Sequence, residues 1–384
     1  MNHDSIYLDH AAATPVDADV LAAMQPYFSD EFYNPSSPYA PAIMVRRVYE
    51  EAKQRIAACI GAKGNDIVMT AGATESINLM FQGVNGHVVT TTIEHAAVLE
   101  AAKRHEYSLV EVDAYGMVSP EAIAGAIRPD TVLVSVALAN NELGTVQPIR
   151  EIAEYIRSER TQRLERGDTR PIYLHTDASQ GVGQLDVHIA RMGVDAMTMN
   201  AAKLYGPKQV GLLWLASHVR LEPSIVGGGQ ERNLRSGTEN VTGTVGFALA
   251  LEKATSRRRS ESQHLAMLRD TMQTRLMSEF PTAVVSGHPR LRLPGYLHIS
   301  FPGLDAERLI FSLEARGVLV ATGSACAANK GTRSHVLEAI GLAPEIADGS
   351  LRLTFGRLND TDSSNRATGI LIDVIRHEMA RIQL

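Results

Sequence analysis

Two strand-like runs end in residues that could do chemistry together. "YLHTDASQGVG" puts Asp177 at the close of an apolar run, and "DAMTMNAAKLYGPKQVG" sets Lys203 just past another, with a glycine-proline turn behind it. Neighbouring strands of an open α/β sheet present the residues at their carboxyl ends to one crevice, where such folds bind ligands. A lysine amine there can form a Schiff base with pyridoxal 5′-phosphate, while an aspartate keeps the pyridine nitrogen protonated so that the ring draws electrons. Taken singly, each residue reads as a surface or ion-pair group. "MTAGATESINL" adds a strand, a Gly-Ala-Thr turn and a helix in succession. That arrangement aims free N–H groups around Ala73 and the Thr74 hydroxyl at a phosphate-sized anion. The plainer alternative makes Thr74 an ordinary helix N-cap.

Three further stretches carry candidates. "TTIEHAAVLEA" places His95 at a helix head, where an imidazole either stacks on a cofactor ring and moves protons near neutral pH or simply caps the helix. "GGGQERNLRSGTEN", with Thr238, reads as a segment reaching across a subunit boundary or as a solvated loop. "ATGSACAANKGTRSH" surrounds Cys326 with small, polar, turn-forming residues, the setting of a thiol that can move, unless it is only a small loop residue. Cys59, in the amphipathic "RRVYEEAKQRIAACIGA", reads as core.

These residues need a scaffold. Short β-rich runs alternate with helical stretches to about residue 220, which predicts an α/β fold with a mostly parallel sheet. The expected large domain spans 15–255, and a smaller α+β domain is expected from 1–14 and 256–384, carrying the Cys326 loop. From Val241 to Phe280 the pattern is helical, interrupted by "SRRRSE"; "GYLHISFPG" and "LRLTFG" read as strands. At 384 residues and 45% apolar content a sizeable core is available. Two cysteines make no disulfide framework, and "MNHDSIYLDH" lacks a secretory pattern, so a cytoplasmic setting is expected. A net charge of -6 gives no general attraction for nucleic acid, no run suits a membrane span, and no metal is expected.

The stretches "YLDHAAATPVD", "NPSS", "GATES", "IEHAAVLE", "ANNELGTVQPI", "HTDASQGVG", "KLYGPK", "GGGQERNLRSGTENV", "GSAC" and "SLRLTFGR", in that order, resemble the NifS/IscS-type cysteine desulfurases of the class V aminotransferase-like group. The "GSAC" loop is similar to that of the family's first group. The resemblance implies an aspartate aminotransferase-like fold, pyridoxal 5′-phosphate and a homodimer. It matches Lys203 to the Schiff-base lysine, Asp177 to the pyridine partner, Gln180 to the donor to the ring hydroxyl and His95 to the stacking acid/base. Thr74 matches the phosphate-binding threonine and Thr238 the one that reaches the partner subunit's phosphate. Asn141 and Arg352 match residues that position cofactor and substrate carboxylate, and Cys326 matches the nucleophile. The implied activity takes sulfur from L-cysteine, leaves L-alanine, and forms a persulfide on Cys326 for a protein acceptor. Iron–sulfur assembly, RNA thiolation and DNA phosphorothioation would all draw on that persulfide.

The chain departs from the family pattern at Asn200-Ala201-Ala202-Lys203, where Ser-x-His-Lys is usual. Asn200 is expected to supply part of the missing phosphate contact through its amide. Gln209 stands where glycine is usual, and His10 where asparagine is usual. The rival readings are a class V relative such as a selenocysteine lyase or aminotransferase, and a weakly cofactor-binding scaffold or sulfur carrier.

Overall fold

The computed structural model of the chain describes residues 5–322 and 333–383. Its strands are β1 Ile6–Tyr7, β2 Ile67–Thr70, β3 His87–Thr91, β4 Tyr107–Val110, β5 Thr131–Ser135, β6 Tyr173–Asp177, β7 Ala196–Asn200, β8 Gly211–Leu215, β9 Val284–Ser286, β10 Tyr296–Ser300, β11 Val318–Leu319 and β12 Ser350–Thr354. Seven of them form one sheet in the order β2-β8-β7-β6-β5-β3-β4. The steps from β7 through β6, β5 and β3 to β4 are parallel, as the alternating pattern predicts. β8 runs antiparallel to both its neighbours. The reason lies in chain length: Ala201–Val210 is too short for the crossover of a dozen or more residues that a parallel return requires.

The strands are apolar on both faces because helices cover both. Val68, Val88, Leu133 and Leu213 pack on helices Ala73–Gln82 and Ala96–Ala102. Met69, Val89, Val134 and Leu212 pack on helices Ala40–Ile60, Ile149–Glu165 and the first half of Val241–Glu279. Successive strand residues thus point to opposite layers, and both layers exclude water. Cys59 is partly buried against the second of these layers.

A separate apolar cluster joins Leu265–Leu276 of the long helix to β10, β12 and helices Ala306–Ala315 and Thr361–Ile382. The charge run "SRRRSE" does not interrupt the helix. Arginine and glutamate are good helix formers, and the run finds partners: Arg258 meets Asp186 at 3.4 Å, and Glu261 meets Arg357 at 3.0 Å. On β10 and β12, Leu297, Ile299, Leu351 and Leu353 face this second cluster. Strand alternation therefore turns Tyr296 and Arg352 the other way, toward the seven-stranded sheet. Among the described residues no helix is long and apolar enough to cross a membrane.

Candidate active site

Three strand ends meet at one edge of the sheet. Because β8 is antiparallel, its first residue, Gly211, lies between the last residues of its neighbours, paired with Thr70 of β2 and with Asn200 of β7. A Cβ on Gly211 would fall 2.6 Å from the Gly72 backbone, so only glycine permits this approach. Gly72, at φ 142°, takes the chain into helix Ala73–Gln82 and is its N-cap. Thr74 is therefore not the cap; it sits in the first turn, and its hydroxyl has no partner among the described residues. The first N–H groups of a helix also lack intrahelical partners. Ala73, Thr74, Asn200, Ala202, Lys203, Lys208 and Gln209 line one open cleft.

Lys203 closes a single 3-10 turn, Ala201–Lys203, capped by Asn200, whose Oδ1 accepts from the Ala202 N–H at 3.1 Å. The amine donates to the carbonyls of Ala11 at 2.8 Å and Ala12 at 2.6 Å. Burial holds it below the ordinary lysine value, helped by the Arg352 charge and opposed by Asp9 and Asp177. Gln180 also donates to the Ala11 carbonyl, at 3.2 Å, and its Oε1 accepts from the Tyr296 hydroxyl, so its amide orientation is set. Asp177, half-buried, accepts from the Ser179 N–H at 2.9 Å.

His95 caps helix Ala96–Ala102 by accepting the Ala97 N–H on Nδ1 at 3.0 Å, which leaves the proton of the neutral ring on Nε2. His95 is solvent-exposed and is not among the residues lining that cleft, yet the surrounding protein withdraws enough water to lower its pKa. Lys203 and His335 lower it further, and Asp177 opposes them. Beneath it Glu94 is buried and accepts from the Ala137 N–H at 3.1 and 3.2 Å. Burial, with a contribution from Asp177, pushes Glu94 up to about 7.

Arg352, on β12, lies close enough to Lys203 for its charge to lower the amine's basicity. Nη2 meets Asp9 at 2.7 Å, Nη1 donates to the Asn141 carbonyl at 3.0 Å, and Nε is buried without a partner. The Arg352 backbone pairs with Ala321, its N–H donating to the Ala321 carbonyl at 2.8 Å. The described chain stops at Thr322 and resumes at Arg333; Cys326 lies outside the described residues. On the return side Ser334 donates to the buried Glu142 at 2.5 Å, and His335 Nε2 bonds the Glu94 carbonyl at 3.0 Å. The described residues on either side, Ala321 and Ser334, are thus bonded to Arg352 and to the neighbouring Glu142. Glu142 is pushed up to about 7 by burial, with Arg352 and the Ser334 bond acting the other way.

Thr238 is exposed and does not line the cleft. Its loop is pinned by Glu231, which is buried and accepts from Tyr49 at 2.5 Å, Lys53 at 3.1 Å and the Met69 N–H at 2.6 Å. Sequence reasoning did not single out Asp9, Glu94, Glu142 or Tyr296. Asp9 had a signal, an acid inside the opening "YLDHAAATPVD"; Glu142 had none beyond lying in "ANNELGTVQPI". His10 is buried, with its Nδ1 on the Thr354 carbonyl at 3.0 Å and its Nε2 unpartnered.

The donors and charges fit pyridoxal 5′-phosphate: a helix start and a free hydroxyl for the phosphate, a carboxylate at a strand end for a ring nitrogen, and an amine of lowered basicity between them. The aminotransferase class V family profile matches residues 6–363. The chain is 40% identical over 381 residues to cysteine desulfurase IscS 1 of Archaeoglobus fulgidus, covering 96% of each chain. It superposes on a solved NifS-like protein with a TM-score of 0.88 at 31% identity, covering 97% of this chain and 100% of that one. A structure described as SspA in complex with cysteine gives a TM-score of 0.78 at 32% identity, covering 91% and 98%.

Proposed function

The chain belongs to the aminotransferase class V family, whose enzymes of this kind depend on pyridoxal 5′-phosphate, and from that premise we propose that it is a cysteine desulfurase converting L-cysteine to L-alanine and a Cys326 persulfide. The observation that carries this reading is the place of Lys203. Its half-buried amine stands at the sheet edge in one cleft with Thr74 and Asn200, and under the fields of both Asp177 and Arg352.

When bound, the cofactor supplies an electron sink for a carbanion at the substrate Cα. Lys203 would hold it covalently and, once released, take the Cα proton on Nζ; its lowered basicity leaves more of the amine free to do so. Asp177 would hold the ring nitrogen. Gln180, with its amide fixed by Tyr296, would donate to the ring hydroxyl, and His95 would lie on the ring with its Nε2 proton available. Ala73, Thr74 and Asn200 would cradle the phosphate, joined by Thr238 of a second copy. Arg352, with Asn141, would take the substrate carboxylate; its unpartnered Nε and its exchangeable bond to Asp9 support that role. Cys326 as thiolate would then attack the substrate sulfur, the sulfur–sulfur bond forming as the carbon–sulfur bond breaks with its electron pair left on carbon, which takes a proton to become the methyl group of L-alanine.

The homodimer reading is supported by exposed apolar groups near the N-terminus, Phe28 and Met44 on helices Pro26–Ser29 and Ala40–Ile60 and Phe32 on the stretch between them, together with Val226 at 80% exposure. The separate apolar clusters support a large unit of 15–255 and a small one of 1–14 with 256–384. A reducing cytoplasm suits a reaction that runs through a thiolate, with a protein as sulfur acceptor. Cys326→Ala tests the assignment: it should keep the cofactor and bind cysteine, yet release almost no sulfide. Ordinary turnover by this variant in the presence of reductant would remove Cys326 from the reaction.

A further inference from the structure

The phosphate end of the cleft has an uneven distribution of donors. On the β2 side stand the helix start and Thr74. On the β7 side only the Asn200 amide nitrogen is left to donate, since its Oδ1 accepts the Ala202 N–H, and Ala202 offers only a methyl group. Strand β8 enters between these two sides, since Gly211 pairs with both Thr70 and Asn200. The Val210 carbonyl bonds the Ala201 N–H at 3.0 Å and fixes the approach. Gln209, one residue earlier, therefore emerges at the sheet edge between the helix start and Asn200. It is exposed, it lines the same cleft, and its carboxamide has no partner among the described residues.

Gln209 also adopts φ 58°, the left-handed region that disfavours a side chain. Glycine would be at ease there, and a strained side chain retained at a ligand cleft points to use. We propose that the Gln209 carboxamide donates a hydrogen bond to the cofactor phosphate, completing the cradle on the side where Ala202 has nothing to give. This rests on the reading of Thr74 and Asn200 as the phosphate cradle. It makes Gln209 a positioning residue for the cofactor.

The test compares wild type, Gln209→Gly, Gln209→Glu and Thr74→Val. Apoprotein is titrated with pyridoxal 5′-phosphate and with pyridoxal, and its thermal midpoint is measured without either. Gln209→Gly should weaken pyridoxal 5′-phosphate binding about ten- to hundredfold, the worth of a bond to a charged acceptor, and leave pyridoxal binding unchanged. It should also raise the apoprotein midpoint, because the backbone strain is relieved. A structural role alone would move stability and cofactor binding in the same direction. Gln209→Glu should bind the phosphate compound more weakly still, because a carboxylate would face the anion. If Thr74→Val weakens binding and Gln209→Gly does not, the cradle stands and the Gln209 role is overturned. Equal loss for pyridoxal and its phosphate would overturn it too, since the side chain would then act on the loop. No effect from Thr74→Val would overturn the cradle reading, and with it the proposal.

Discussion

The two ends of the cleft are built in different ways. At the proposed phosphate end, the turn Gly72–Thr74 and the turn Asn200–Lys203 each follow directly on a strand and are shaped first by short-range bonds, Ala202 to Asn200 and Ala71 to Glu75, with Lys203 alone reaching far, to Ala11 and Ala12. At the Arg352 end, every bond that places the guanidinium is long-range. Asp9 is 343 residues away in sequence and Asn141 is 211. The turns of the first end are local consequences of strand, turn and helix, brought side by side by β8; the second end exists only once both units are folded against each other. The helix start at Gly72–Thr74 should therefore tolerate perturbation of the small unit best, Lys203 less, because its amine leans on Ala11 and Ala12, and the Arg352 end least.

Four experiments press on that difference. Lys203 belongs to both ends, so Lys203→Ala should show the largest effect. A fall in turnover of about a thousandfold or more is expected, with no adduct that borohydride can fix. A surviving reducible adduct would move the covalent anchor elsewhere.

Arg352→Ala should separate the ends. The Michaelis constant for cysteine should rise by the equivalent of roughly 2 to 5 kcal/mol while cofactor retention stays as in wild type. Simultaneous loss of cofactor would mean that the two ends are not independent.

Glu142 probes the Arg352 end through pH. Burial in the folded state raises its carboxyl from the ordinary 4.5 to about 7. Between these values the folded state keeps a proton that the unfolded chain has released. The stability it contributes is thus complete below pH 4.5 and lost as the pH rises through about 7. The gap corresponds to about 3 kcal/mol. Glu142→Gln cannot ionise, so its urea midpoint should gain on wild type from pH 5 to about pH 7 and then level off; parallel curves across that range would show that Glu142 does not titrate there.

Ala202→His, the smallest expected change, adds a donor at the phosphate end alone. Cofactor loss on dialysis should slow about ten- to hundredfold, with the Michaelis constant for cysteine unchanged. An unchanged rate of loss would mean that Asn200 and Gln209 already saturate the phosphate.

What could be read in advance follows the same division. Asp177, Lys203 and the Gly-Ala-Thr turn were legible because each is a local pattern with a mechanical reason, an apolar run that must stop at the sheet edge. Thr74 was misplaced only if taken as a cap, since the bend belongs to Gly72. Arg352 was singled out by resemblance, but nothing within "SLRLTFG" indicates that Asp9 would neutralise it or that Glu142 would lie buried nearby.

The alternation of apolar runs and helical stretches determined, without coordinates, a mostly parallel sheet with its chemistry at the carboxyl edge, because side-chain period and chain length leave few other ways to cover both faces. The reversal of β8, the left-handed Gln209 it carries to the cleft, and the pairing of Arg352 with Asp9 were decided by the tertiary structure alone. These depend on which segments meet across hundreds of residues, and a charge or a donor acquires its role only from what burial places beside it.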